Sequence, residues 1–373
     1  MLLTTTRIGT FCLLLALFFP WLPFLLYSED IIPFSLDQFA LKRNAANETW
    51  NVVITGANSG LGWGTAFHLA KIPNLCIVMA CRNLSSCEEA RARIPIIHHN
   101  STRLVCVELD LADRASIEAF SHRRIQRLFS NSSADSLSPI HVLINNAGFW
   151  ASSEEVEYID NIESHFFVNH LGHVLLTHYL WKRLVAGRAR VVAVSSLSGI
   201  YPVSPLYGWR RSDENSRGRW WLKYSIIRYL SSKQAMIDRY VRSKRANLMF
   251  AAELDDRFRN TVTSVGSHPG YTQTPIFQKG LKFLPKWVVK VLSKKSIVSM
   301  ETLDGAMMQV RAALDNEIQS GSYVGPRYWT FGAAVLVGRL RGKSLHHWHF
   351  AKAESKMLWE ESFSVLGISD FGK

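Results

Sequence analysis

Eleven residues, Val52-Val-Ile-Thr-Gly-Ala-Asn-Ser-Gly-Leu-Gly62, constrain this chain more than any other stretch. The β-branched run Val52 to Thr55 predicts a strand buried on both faces, as parallel strands are. Gly56, Gly60 and Gly62 come next, where the backbone must turn sharply and approach a ligand with no Cβ in the way. Leu61 to Ala70 then predicts a helix whose first N–H groups face an anion such as a pyrophosphate. Three glycines near a strand often make only a tight turn, so this motif alone is weak evidence. The order of the later motifs decides.

A second apolar run, Leu75 to Ala80, ends in Cys81-Arg82-Asn83. Dinucleotide-binding folds place an acidic residue here to grip the ribose hydroxyls of NAD. Arg82 instead suits a ribose 2′-phosphate, which favours NADP(H) over the plainer reading of a surface arginine. A third strand, Arg103 to Glu108, leads into Leu109-Asp110-Leu111, where an aspartate alone reads as a helix cap. His141 to Ile144 predicts a fourth strand running into Asn145-Asn146-Ala147-Gly148. From Asn161 to Thr177, Phe166, Asn169, His173 and Leu176 recur at helical spacing, and an asparagine among such neighbours is costly unless hydrogen-bonded. Further strands at Arg190 to Val194 and Val262 to Gly266 run into Ser195-Ser196 and His268-Pro269-Gly270. Strands separated by helices predict an α/β fold: a Rossmann-like, doubly wound parallel sheet with its binding turns at the C-terminal edge.

A serine after a buried strand becomes chemical only with a partner. A tyrosine with a lysine four residues later supplies one, because an ammonium one helical turn on draws the phenol pKa from about 10 toward neutrality. Tyr229 with Lys233 and Tyr240 with Lys244 both fit. They stand close to three turns apart, so on one helix they share a face and periodicity does not choose between them.

In this order the motifs resemble the short-chain dehydrogenase/reductase superfamily from about Asn51 to Tyr323. The segments Phe167-Val-Asn-His-Leu-Gly-His173, His268-Pro-Gly270, Gly321 to Pro326 and Leu358 to Ser362 are similar to its retinol-dehydrogenase-like branch, alongside protochlorophyllide reductase and the WW-domain oxidoreductases. The segment Tyr240 to Leu254 looks like the family's active-site helix, which favours Tyr240 over Tyr229. The resemblance implies hydride transfer between NADP(H) and an alcohol or carbonyl. Tyr240 would be the acid/base, Lys244 would also hold the nicotinamide ribose, Ser196 would bond the reacting oxygen, and Asn169 would support a water in the proton relay. It implies cofactor contacts from Gly56, Asn58, Ser59, Gly60, Leu61 and Gly62, from Arg82, from Asp110 (toward the adenine) and Leu111, and from Asn146, Ala147 and Gly148. Tyr240 and Lys244, with Pro269, Gly270 and Thr274, would seat the nicotinamide end. The interval from Ser196 to Tyr240 is longer than the family's and carries Trp209, Trp220 and Trp221 among Arg210, Arg211, Arg217, Arg219, Lys223 and Arg228. It falls at the substrate mouth, leaves the substrate open and keeps Tyr229 as a rival.

Outside this core, Ile8 to Tyr27 carries no charge over about one bilayer-spanning length. No small-residue cleavage site comes after it, so the run predicts an uncleaved membrane anchor, bent at Pro20 and Pro23. The expected organisation is an anchor over 1–27, a linker over 28–48, the NADP-binding domain over 49–330 with an insert at about 200–235, and a C-terminal extension over 331–373. Between Lys279 and Lys295, Leu284, Trp287, Val288, Val291 and Leu292 oppose Lys282, Lys286, Lys290 and Lys294. That pattern suits a basic amphipathic helix on a membrane as well as a lid with a solvated face. The net charge of +13 serves an anionic membrane or a phosphorylated cofactor, and no nucleic-acid motif accompanies it. Five cysteines, bunched and few, form neither a disulfide framework nor a zinc spacing. Asn-x-Ser/Thr sequons argue for the lumen and unpaired cysteines for the cytosol, so the membrane face stays open. The expected partners are a lipophilic small molecule and a membrane of the endoplasmic reticulum or a lipid droplet, with a homodimer neither required nor excluded. The competing function is a catalytically silent NADP-binding scaffold.

Overall fold

The computed structural model describes residues 34–44, 48–129, 137–150, 155–200, 205–206, 209–210, 225–274, 300–328, 333–341, 351–369 and 371, with backbone only for 42–44 and 225–236. The apolar run at 8–27, the basic stretch at 279–295, most of the Trp/Arg-rich insert and the side chains of Tyr229 and Lys233 lie outside these residues. Among the described residues no helix is long and apolar enough to cross a membrane.

Eight strands form the main sheet: β1 (Trp50–Thr55), β2 (Leu75–Cys81), β3 (Arg103–Glu108), β4 (Val142–Asn145), β7 (Arg190–Val194), β8 (Thr263–Ser267), β9 (Ser322–Pro326) and β10 (Ala334–Arg339). The two short strands between them, β5 (Tyr158–Ile159) and β6 (Ile162–Glu163), pair separately. Spatial order is β10-β9-β8-β7-β4-β1-β2-β3, and every neighbouring pair is parallel except β10 with β9. Strand order therefore reverses beside β1, which has β2 on one side and β4 on the other.

Alternation along the strands feeds two cores. Val53, Val78, Leu143 and Val191 point to one, and Val52, Ile54, Ile77, Ile144 and Val192 to the other. Both faces are covered, which is why these strands read as unbroken apolar runs. Helices α1 (Leu36–Asn44), α2 (Gly60–Leu69) and α3 (Leu84–Ala92) precede α4 (Gly172–Ala186), α5 (Ser225–Phe258), α6 (Thr302–Leu314) and α7 (Lys352–Leu366). Residues of α2, α3 and α6 pack in the second core, those of α4, α5 and α7 in the first. The segment read as a C-terminal extension supplies both an edge strand and α7, whose Trp359 stacks on Phe250 of α5 at 5.4 Å.

Helix α5 runs unbroken for 34 residues and carries both Tyr–x3–Lys pairs. Its second half is buried nearly all round, from Val241 to Leu254, as a helix pressed between sheet and α7 must be.

Candidate active site

Each turn singled out from the sequence succeeds the C-terminal end of a parallel strand, so the sheet delivers them all to one edge. The glycine-rich turn follows β1, Arg82 follows β2, Asp110 and Leu111 follow β3, and Asn146 to Gly148 follow β4; Ser196 follows β7, and Pro269, Gly270 and Thr274 follow β8. That edge, beside the reversal of strand order, is where open α/β sheets bind ligands.

The first turn is shaped for close approach. Gly56 and Gly60 have φ of +65° and +53°, in the left-handed region that favours glycine. A Cβ on Gly62 would lie 2.4 Å from the Gly56 carbonyl oxygen and 2.6 Å from Asn146 Nδ2. Asn146 Nδ2 donates to the Thr55 carbonyl at 2.7 Å, while its Oδ1 accepts from Gln309 Nε2 at 3.0 Å. Gln309 also accepts from the Thr65 hydroxyl at 3.0 Å, so α6 ties the β1 and β4 turns together. At the start of α2, Ser59 makes no side-chain cap and the first turn holds no acidic residue. Its leading N–H groups are thus suited to an anion.

Arg82 is exposed beyond buried Cys81, and Asn83 is used locally, accepting from Ser86 N at 2.8 Å. Asn58 Nδ2 donates to Ser86 Oγ at 3.1 Å, which joins the glycine-rich turn to α3. Asp110 Oδ1 accepts from Ala112 N at 2.9 Å, so this carboxylate shapes its own turn. The next helix is capped by Asp113, not Asp110. A turn stripped of Cβ atoms and an uncapped helix start together fit the pyrophosphate of a dinucleotide.

On the other side of β4, four residues from distant segments meet. Ser196 stands close enough to the Tyr240 hydroxyl to lower its pKa, and Ser196 Oγ accepts from Ser198 N at 3.2 Å and from Ser198 Oγ at 3.0 Å. Lys244 Nζ donates to the Val194 carbonyl at 3.2 Å. A Cβ on Gly148 would lie 3.1 Å from both Lys244 Nζ and Asn169 Oδ1, so a larger residue here would press on both groups. Asn169 stands in a π-helical turn, Phe167–Leu171, just ahead of α4. Its amide accepts from Phe149 N at 2.9 Å and donates to Phe149 O at 3.1 Å and Ser243 Oγ at 3.0 Å. The cost of an asparagine in this helix is therefore met across the fold, between the β4 turn and α5, one turn of helix from Tyr240.

One expectation is corrected here. Lys244 does not draw the Tyr240 phenol toward neutrality: burial pushes it up to about 12, although nearby Ser196 works the other way. The Lys244 ammonium bonds a carbonyl and stands 5.9 Å from the Tyr240 ring centroid, while burial lowers its own pKa to about 8. At neutral pH the phenol is protonated and the lysine charged.

Several contributors left no motif. Trp150 stacks on Tyr240 with centroids 5.1 Å apart and planes 15° from parallel. Asn247 of α5 donates to the same Val194 carbonyl as Lys244, at 3.2 Å. His173, noted only as part of a helical stripe, contacts Thr55 and the Asn169 carbonyl. The aromatic pair directly after Gly148 was the one available signal for Trp150; Asn247 and Gln309 had none.

The short chain dehydrogenase family model matches residues 50–208. Retinol dehydrogenase 12 of Mus musculus is 32% identical over 326 residues, covering 85% of this chain and 86% of that protein. The WW domain-containing oxidoreductase of Gallus gallus is 34% identical over 221 residues, covering 59% of this chain and 48% of that one. Among solved structures, levodione reductase aligns with a TM-score of 0.52 at 17% identity, over 73% of this chain and 93% of its own. That last likeness is one of fold.

Proposed function

Because the chain belongs to the short-chain dehydrogenase/reductase superfamily, in its retinol-dehydrogenase-like branch, we propose that it is a membrane-anchored, NADP(H)-dependent oxidoreductase of lipophilic alcohols or carbonyls. The observation that carries the proposal is Ser196 beside the Tyr240 hydroxyl, with Lys244 and Asn169 flanking Gly148. When bound, the nicotinamide supplies or accepts the hydride. Gly56 to Gly62 and the start of α2 would hold its pyrophosphate, Arg82 the 2′-phosphate, and Pro269, Gly270 and Thr274 the nicotinamide end.

The side chains divide the remaining work. Ser196 holds the reacting oxygen, and Tyr240 passes its proton to that oxygen, a role worth about 10²–10⁴-fold. A phenol held at about 12 is protonated at neutral pH, the state from which it can donate to a carbonyl oxygen. Lys244 places a positive charge beside the β4 turn, and Asn169 keeps the Phe149 backbone and Ser243 in register. Trp150 lies flat on the Tyr240 ring and makes one apolar wall of the approach.

Support for the substrate class comes from the relatives named as retinol dehydrogenases and from the apolar stretch at 8–27 with Trp220 and Trp221 of the insert; Trp209, expected at the substrate mouth, is instead buried in the core against Phe166. The class is a retinoid, steroid or lipid aldehyde. The test uses the full chain in detergent micelles with NADPH and a panel of such carbonyls. Consumption of NADPH with at least one of them, and slower consumption of NADH, is expected. NADPH binding without turnover of any carbonyl contradicts hydride transfer and favours the silent scaffold.

A further inference from the structure

His173 is 3% exposed, and both of its ring nitrogens are engaged. Nδ1 lies 3.0 Å from the Asn169 carbonyl oxygen and Nε2 lies 2.9 Å from Thr55 Oγ1. A carbonyl oxygen only accepts, so Nδ1 carries the proton. Burial above all holds the imidazole pKa down to about 3, with the Asn169 hydrogen bond working against it and the nearby Lys244 charge with it. The ring is therefore neutral at physiological pH, and a neutral ring has one N–H. Nε2 must then accept, and Thr55 must donate. The alternative acceptor for the Thr55 proton, the Ile144 carbonyl, is more distant at 3.4 Å.

With its proton directed to His173, the Thr55 oxygen is left to accept. It receives Asn146 N and Ala147 N, each at 2.9 Å. A single ordered chain thus runs from the β4 turn through Thr55 and His173 to the Asn169 peptide. Thr55 is the last residue of β1 and immediately precedes Gly56 of the glycine-rich turn. Asn169 grips Phe149 and Ser243 with its side chain. The chain of bonds therefore joins the cofactor half of the site to the half that holds Tyr240 and Lys244. A leucine at position 173 would fill the helical stripe equally well and could join nothing.

Resting on the hydride-transfer reading, we infer that His173 is a positioning residue which, as the Nδ1–H tautomer, fixes the Asn169 peptide and the Asn146–Gly148 turn against the strand carrying the glycine-rich turn. It touches no reacting atom. Its effect passes through Asn169 to Gly148, which lies against both Asn169 Oδ1 and Lys244 Nζ. A misplacement of about 1 Å in such an arrangement costs about 10²-fold in rate.

The test compares His173→Leu, Thr55→Val, Thr55→Ser and the double variant His173→Leu/Thr55→Val in the full chain, with an accepted carbonyl and NADPH. His173→Leu and Thr55→Val should each lower kcat about ten- to a hundredfold with KM for NADPH little changed. Thr55→Ser, which keeps the hydroxyl, should restore most of the rate. The double variant should be no slower than the slower single, because both remove one link. In parallel, ¹⁵N-resolved NMR of histidine-labelled wild type at pH 7 should show Nδ1 protonated and Nε2 bare. If His173→Leu does not fold, the Thr55 pair and the wild-type spectrum carry the test. Unchanged kcat in the variants, multiplied losses in the double, or an Nε2–H ring would overturn the inference alone. A wild type that turns over no carbonyl contradicts the underlying reaction, and the inference falls with it.

Discussion

Lys244 Nζ and Asn247 Nδ2 share one acceptor, the Val194 carbonyl oxygen, each at 3.2 Å. Asn247 Oδ1 in turn faces His170 Nδ1 at 3.3 Å, and His170 Nε2 faces Ser362 of α7 at 3.3 Å. The C-terminal helix is thereby linked to the ammonium beside the β4 turn. Asn247→Leu removes the amide and leaves a buried imidazole N–H and part of a buried carbonyl unpaired. We expect a loss of about 1–3 kcal/mol by urea denaturation, together with a lower kcat. A variant matching wild type in both would show that Asn247 only fills space.

Lys244 makes stability depend on alkaline pH. Its pKa is about 8 in the folded protein, against 10.5 for a free lysine, because it is buried. Between those values the unfolded chain binds the extra proton, so folded stability rises with pH across this window and is flat below it. The full rise is about 3 kcal/mol. Above pH 10 Tyr240 acts oppositely, since its folded pKa of about 12 lets the unfolded phenol ionise first. The thiols of Cys76, Cys87 and Cys106, held above the free value, pull stability down over the same range. From pH 7.5 to 9.5 the denaturation midpoint of Lys244→Met should therefore gain less, or lose more, than that of wild type. Equal slopes would contradict the burial of that charge.

Cofactor preference is expected to rest on Arg82. The arginine is exposed at the end of β2, where an acidic residue would select NAD. Arg82→Asp exchanges a bidentate phosphate partner for a repulsion and should weaken NADPH binding more than tenfold while sparing NADH. Titration of both cofactors against the variant checks this; equal NADPH affinity in variant and wild type would refute it.

How much of the site was legible in the sequence depends on how local each feature is. The runs at β1, β2, β3, β4, β7 and β8 and the turns after them are read from consecutive residues, and the structure keeps them within a residue or two. Asn169 was visible because a lone amide in an apolar helical stripe needs a partner. Its partners, Phe149 and Ser243, were not, since they lie 20 and 74 positions away. Gln309 reaches Asn146 across 163 positions and shows no local pattern. The wrong expectation, a phenol drawn toward neutrality by Lys244, took helical spacing for electrostatic contact. On α5 that spacing brings the ammonium to the Val194 carbonyl, and burial decides the phenol instead. The edge strand β10 was missed because Ala334 to Arg339, which pairs antiparallel with β9, lies between the recognised segments at 321–326 and 358–362 and carries no motif of its own.

The central claim is that Tyr240, not Tyr229, is the proton donor of a hydride-transfer site. Tyr240 has Ser196 beside its hydroxyl and Trp150 stacked on its ring, and it precedes the segment that reaches His268-Pro-Gly270. Turnover of an accepted carbonyl by Tyr240→Phe and Tyr229→Phe, with NADPH affinity measured in parallel, tests this most directly. Tyr240→Phe should lose about 10²–10⁴-fold in kcat while binding NADPH nearly as wild type does, because only the hydroxyl is removed and Lys244 remains. Tyr229→Phe should change the rate only modestly. The reverse ranking, or full activity in Tyr240→Phe, would contradict the account.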